Sequence, residues 1–451
     1  MSGKIEVDLN DYSFLEQDRE LRRGMLRPID TAALLKTFYW LEFELSRMTM
    51  GWAPSFADWD IKGKLVRMSY LHTTHMMFLE ERINELPGSN IGRKDWTPEA
   101  MREAFERISI APSTEAFAAA YNYAAVQLYD RYAKLTRLLD QILDAPTLER
   151  LKYIETDRIE LTQWGTEHAQ FAFMDDMAAR AEFFKWQDYV RDTWKIMELK
   201  LDHQSKGSAL QWPAFTVENP VGPVPPKAAV DPRYPLVDLT KFKSAMFDPK
   251  SPTHNSVKHM VFINASEMSA AETMTYLYYG VQRMPMEFYY DVARHTWDEV
   301  RHSQMGVRRL KQMGYKTEDF SWHPSTVPSK ENMDTAFPEF YSALTMVMEP
   351  CSFIKKRKSI DAFLDHGDPM SSIQSEFDIA DERLHVNFGK KWGAKLFEHI
   401  DDFETAQSVE KKAKQMHLQR MGYEQAEIDS VLNNFPEFCG FATMDLKYDQ
   451  Y

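Results

Sequence analysis

The sequence predicts an all-α protein, and three observations lead to that expectation. Glycine is scarce, at 17 of 451 residues. Apolar residues recur at i, i+3 and i+4 over long stretches with charged opposite faces, which is the period of a packed helix. The phrase Asp-Glu-x-x-His occurs twice, as Asp298-Glu299-Val300-Arg301-His302 and Asp381-Glu382-Arg383-Leu384-His385, each inside a helix-like segment. No stretch alternates convincingly as a strand would.

Taken in order, residues 31–50, 57–86, 113–143 and 146–201 read as helices. The stretch 206–255 differs, because it holds Pro213, Pro220, Pro223, Pro225, Pro226, Pro232, Pro235, Pro249 and Pro252. Proline at that density stops helices and favours extended, semi-rigid chain, so a connector that wraps the surface is expected. Helices resume near residue 254 and run to about 400. The expected organisation is an N-terminal helical bundle over 1–205, a connector over 206–255, a metal-binding bundle over 256–400 and a helical extension over 401–451. The extension turns irregular around Asn433, Asn434, Phe435 and Pro436.

The chemistry lies in the spacing. Residues three apart on a helix share a face one turn apart, so Glu299 with His302, and Glu382 with His385, can approach one site. Each pair is preceded by an apolar helix carrying a Glu: Glu272 before the first and Glu349 before the second. An unpaired charge in such a run is costly, and a metal is the usual compensation. Four helices thus offer Glu272, Glu299, His302, Glu349, Glu382 and His385, the ligand set of a dinuclear site in a four-helix bundle. Oxygen-rich ligation with one His per metal suits Fe or Mn better than structural zinc. One Glu-x-x-His alone is a weak signal, and the repeated phrase with its upstream Glu is what gives specificity. Pro350 directly follows Glu349, so that helix is expected to kink or widen there.

Neighbouring residues have two readings. Asp298, Asp381 and Asp378 are candidates to orient the imidazoles, or are exposed helix acids. Tyr276 follows Glu272 on its face and could support redox chemistry, with packing the default. His295 reads as a hydrogen-bonded interior histidine and Glu267 as one half of a structural ion pair. No catalytic residue beyond the metal ligands is identified.

Composition excludes several classes. A net charge of −14 with no basic stripe argues against a nucleic-acid partner. Cys351 and Cys439 are the only cysteines, too few for a disulfide framework, a zinc ribbon or a cysteine-ligated iron–sulfur cluster. No basic-then-apolar leader opens the chain and no apolar run reaches membrane length, so a cytoplasmic protein without membrane contact is expected.

At these residues the chain resembles the ferritin-like di-iron carboxylate superfamily, which includes rubrerythrin, ribonucleotide reductase small subunits and bacterial monooxygenases. Glu267-Met-Ser-Ala-Ala-Glu272, Asp298-Glu299-Val-Arg-His302-Ser and Asp381-Glu382-Arg-Leu-His385-Val-Asn-Phe-Gly389 are similar, more narrowly, to a poorly characterised bacterial ferritin-like family. The resemblance covers about residues 255–395. It implies that Glu272 and His302 serve one metal, that Glu349 and His385 serve the other, and that Glu299 and Glu382 bridge. The first half reads as a degenerate repeat, with Glu42 and His72 at the positions of Glu272 and His302, and Ser69 where a ligand Glu should stand. Convergent amphipathic patterning would give the same alignment. A metal-free first bundle is expected either way.

The function expected is that of a non-haem di-iron oxygenase or oxidase. It would use two Fe ions (Mn or a mixed Mn/Fe pair suits the same ligands) and O₂ as cosubstrate on a small organic molecule. With no built-in rubredoxin and no dinucleotide fingerprint, electrons must come from an external electron-transfer protein or from the substrate. The alternative is an iron-handling or peroxide-scavenging protein. Oligomeric state, homo-oligomers included, is left open by the sequence.

Overall fold

The computed structural model describes residues 25–88, 90–92, 94–171, 177–202, 210–234, 267–319, 333–365, 367–420 and 423–432. The protein is all-α, and no strand occurs among the described residues. None of the described helices is long and apolar enough to cross a membrane. In chain order the helices are α1 (Pro28–Trp52), α2 (Trp59–Glu85), α3 (Glu99–Ser109), α4 (Thr114–Leu138), α5 (Ala145–Thr156), α6 (Arg158–Phe171) and α7 (Met177–Leu201). After the proline-rich segment come α8 (Met268–Gly280), α9 (Met286–Gln312), α10 (Met333–Ala343), α11 (Glu349–Asp365), α12 (Pro369–His399), α13 (Ala406–Arg420) and α14 (Gln425–Val431).

The chain forms two compact units. One comprises Met1–Leu45, Thr74–Ile108 and Glu115–Phe215; the other comprises Ser46–Thr73, Ser109–Thr114 and Thr216–Tyr451. This differs from a linear division near residue 205, because α1 and α2 each contribute residues to both units.

The first unit is built on aromatic packing. Trp164 meets Phe117 and Tyr121, each with ring centroids 6.0 Å apart. Trp186 is fully buried, and its indole N–H donates to the Ala116 carbonyl at 2.9 Å, which satisfies the one polar atom that burial would strand.

In the second unit α8 packs on α9, α11 on α12, and α9 on α12. Asp368 caps α12 by accepting from the Ser371 N–H at 3.0 Å, with Pro369 preset for the first turn. Arg309 of α9 donates to the same Asp368 at 2.7 Å and so fixes the start of α12 against α9. Between α10 and α11 the chain makes a π-helical turn at Leu344–Met348, with the Glu349 N–H reaching back to the Leu344 carbonyl. Pro350 explains it: without an N–H it cannot continue the i→i−4 ladder, and one extra residue in the turn relieves its ring. The widened turn presses on α12 at Gly389, where a Cβ would collide with the Thr345 side chain.

Six prolines of the connector, Pro213, Pro220, Pro223, Pro225, Pro226 and Pro232, lie in the irregular stretch 210–234, and Pro235, Pro249 and Pro252 fall outside the described residues. Within the second unit this strand-free segment follows the ends of α1 and α2. The Val224 N–H donates to the Gly51 carbonyl at 2.7 Å and the Ala229 N–H to the Pro54 carbonyl at 2.8 Å. Tyr234 stacks on Trp59 at 4.1 Å. The expected irregular region at 433–436 also falls outside the described residues.

Candidate metal centre

Two helix stripes build the centre. His295, Glu299 and His302 follow i, i+4, i+7 on α9, and Asp378, Glu382 and His385 follow the same pattern on α12, so each trio points from one face. The π-helical turn presents Glu349 at the start of α11, and Lys356 lies two turns later on the same face. Glu267 stands at the start of α8.

These side chains gather into two groups, each with ligand atoms within 4.8 Å of one another: His295, Glu299, Glu349 and His385 in one, and Glu267, His302, Asp378 and Glu382 in the other. In the first group His295 Nε2 lies 3.1 Å from Glu299 and 3.0 Å from Glu349. His385 Nδ1 lies 3.5 Å from Glu299 and 3.6 Å from Glu349, and its ring stacks on His295 at 3.7 Å. In the second group Lys356 Nζ donates to Asp378 and Glu382, both at 2.6 Å, and to Glu267 at 3.2 Å. His302 Nδ1 lies 3.4 Å from both Glu267 and Asp378.

The two Asp-Glu-x-x-His phrases are crossed. Glu299 groups with His385 and Glu382 with His302, so each group takes its Glu from one phrase and its His from the other. The aspartates cross as well. Asp381 faces His302 Nε2 at 3.2 Å, and Asp298 faces His385 Nε2 at 3.5 Å. Arg294 and Arg301 hold both aspartates: Arg294 reaches Asp298 at 2.7 Å and Asp381 at 3.2 Å, and Arg301 reaches them at 2.5 Å and 3.0 Å. Carboxylates behind imidazoles fix ring orientation and tautomer. The sequence raised this role for Asp298 and Asp381 from their positions beside the histidines of their own phrases; the structure aims each at the histidine of the opposite helix.

Burial and charge oppose each other throughout. Burial alone would keep His295 neutral, but Glu349 and Glu299 outweigh it and push its pKa up to about 10. Burial would raise Glu349, yet His295 and His385 pull it down to about 2. Around Lys356 the three carboxylates overcome burial and keep the ammonium charged. Glu382 is raised well above the carboxylate range, chiefly by burial, and Glu267 is raised to about 7 for the same reason. Burial also opposes the Asp298 charge, but His385 and Arg294 hold its pKa below the usual range.

Five of the six sequence-predicted ligands, Glu299, His302, Glu349, Glu382 and His385, come together here. Glu272 does not. It pairs with Lys62 of α2, and Glu267 reaches the centre instead. Five residues on a helix correspond to a rotation that leaves the two side chains about 140° apart, so one helix cannot aim both inward. Tyr276 is also elsewhere: its hydroxyl donates to the Pro225 carbonyl. Asp378 belongs to the second group itself and binds Lys356. His295 is the buried, hydrogen-bonded histidine that the sequence predicts, and it also lies in the first group; Lys356 is a member of the centre that the sequence does not point to. The shared i, i+4, i+7 stripe would have pointed to His295. Lys356 sits in Lys355-Lys356-Arg357-Lys358, which reads as a solvated basic run.

The residues fit a metal. His295 Nδ1, His302 Nδ1, His385 Nδ1 and Glu382 Oε2 are buried without a hydrogen-bond partner among the described residues. Buried polar atoms are rarely left so unless something absent satisfies them. Two imidazoles with two carboxylates suit Fe or Mn. Comparison with curated proteins and with solved structures returned no match. A family model described as a protein of unknown function, DUF455, matches residues 197–426, just over half of the chain and spanning every residue of the centre, and the chain belongs to that family.

Proposed function

We propose that the second unit is a ferritin-like four-helix metal centre and that the protein is an O₂-dependent oxidoreductase acting on a small organic substrate. One observation carries this reading: two imidazoles and two carboxylates from three separate elements converge in a buried space. When bound there by His295, Glu299, Glu349 and His385, a redox-active Fe or Mn ion supplies electron chemistry with O₂ that side chains cannot.

The chain's own residues set the conditions. Arg294 and Arg301 fix Asp298 and Asp381, which hold the rings of His385 and His302 in one orientation. Tyr341, with its ring 5.8 Å from His295, and Phe388, 6.3 Å from His385, wall the imidazoles away from water. His295, His302, His385, Lys356 and Asp378 are fully buried, which limits entry to small molecules. Two cysteines in the whole chain supply no cysteine-ligated cluster, so an external protein or the substrate is the electron source.

Anaerobic Fe(II) titration followed by admission of O₂ tests the reading. Saturable Fe(II) binding and O₂ uptake that scales with bound iron are expected. Absence of Fe(II) and Mn(II) binding by folded protein contradicts it.

A further inference from the structure

The two groups of the centre are not equivalent, and the difference is Lys356. Its Nζ has three N–H bonds and three carboxylate oxygens around it: Asp378 and Glu382 at 2.6 Å, and Glu267 at 3.2 Å. Lys356 is fully buried, so these contacts are the environment of the charge and not a surface accident. An ammonium with three converging carboxylates occupies the place that a cation would take among the same oxygens. The remaining ligand, His302, faces carboxylates from both nitrogens, with Glu267 and Asp378 at 3.4 Å from Nδ1 and Asp381 at 3.2 Å from Nε2. A divalent ion entering this group would meet a fixed positive charge at contact range and carboxylates already engaged.

We propose that Lys356 is a built-in cation filling the second position, so that the protein binds one transition-metal ion per chain, in the group of His295, Glu299, Glu349 and His385. The pair of ions expected from the sequence becomes one ion and one ammonium. This inference rests on the metal-centre reading above and adds to it the stoichiometry and the residue that sets it. No electron or proton transfer is required of Lys356. It neutralises charge and excludes a second ion.

The experiment is Mn(II) binding to the full chain under anaerobic conditions, read by metal analysis and electron paramagnetic resonance. The wild type is expected to saturate at one Mn(II) per chain with an uncoupled spectrum. Lys356→Met removes the charge while keeping the apolar stem, and is expected to take up two Mn(II) with a spin-coupled spectrum. Two ions in the wild type would overturn the role of Lys356 and leave the metal-centre reading standing. A folded Lys356→Met protein that still stops at one ion would overturn it in the same way. No ion in the folded wild type would overturn both. Should Lys356→Met fail to fold, the wild-type stoichiometry decides alone.

Discussion

Each unit buries carboxylate next to imidazole, and each does so differently. In the first, Glu42 accepts from Tyr132 at 2.6 Å and pairs with His75 at 3.1 Å, and the other His75 nitrogen meets Asp157 at 3.2 Å. Both ring nitrogens of His75 thus meet a carboxylate. In the second, Glu267, Glu299, Glu349, Asp378 and Glu382 crowd three histidines and one lysine, and several ring nitrogens keep no hydrogen bond. A closed network of pairs stabilises a core, whereas an excess of buried carboxylate destabilises it unless a cation arrives. The comparison teaches that burial of Glu beside His does not by itself distinguish the two units. What separates the two is ring nitrogen left without a hydrogen bond in the second unit, where both nitrogens of His75 have one.

The largest effect should follow loss of a ligand in the first group. His385→Ala or Glu349→Ala is expected to weaken Fe(II) binding more than about 100-fold, beyond the loss typical of an outer hydrogen-bond partner. Far-ultraviolet dichroism should hardly change, since apolar packing holds the helices. Titration of the folded variants checks this, and wild-type affinity in both would break the assignment.

The crossed aspartates give a sharper contrast. Asp298→Asn should reduce metal affinity by about 10- to 100-fold, because Asp298 stands behind His385. Asp381→Asn should cost less, because it stands behind His302 in the group held by Lys356. Equal losses would favour two metal positions over one.

Gly389→Ala tests the π-helical turn. Its Cβ would strike Thr345, and overpacking of this kind costs about 1–3 kcal/mol. Thermal unfolding should show the loss, and metal affinity should fall with it, since Glu349 directly follows the turn. Unchanged affinity with lowered stability would separate the turn from the centre.

The smallest effect concerns the first unit and pH. Burial opposes the His75 charge, but Glu42 and then Asp157 push its pKa up to about 9, above an unfolded value of about 6.5. A raised histidine pKa contributes stability in full below about pH 6.5, and that contribution is lost as pH rises through about 9. After allowance for solvent at Asp157, the contribution is about 2 kcal/mol. Denaturant unfolding between these pH values should show the decline, and His75→Gln should flatten it. A flat wild-type profile would mean that the pair carries no charge.

Much of this was legible in the sequence, for physical reasons. The helical period gave the all-α class, since packing one face of a helix demands it. Pro350 announced an irregularity at Glu349, because a missing N–H must break the ladder. Glu299, His302, Glu382 and His385 were readable because i, i+3 spacing fixes a shared face before any tertiary contact forms. Glu267 was not. It stands at the first turn of α8, and which of Glu267 and Glu272 faces inward depends on the phase of α8 against α9. Lys62, which draws Glu272 away, lies some two hundred positions earlier in the chain, and no local pattern links them. Lys356 was hidden in a basic run whose other members gave no hint of a buried ammonium.

The central claim is that the second unit binds metal and that the matched pair in the first does not. Anomalous diffraction from crystals of the full chain soaked in Mn(II) tests it most directly. The account predicts one peak per chain, between His295, Glu299, Glu349 and His385. A peak beside Glu42 and His75, or no peak among the four ligands at saturating Mn(II), would contradict it.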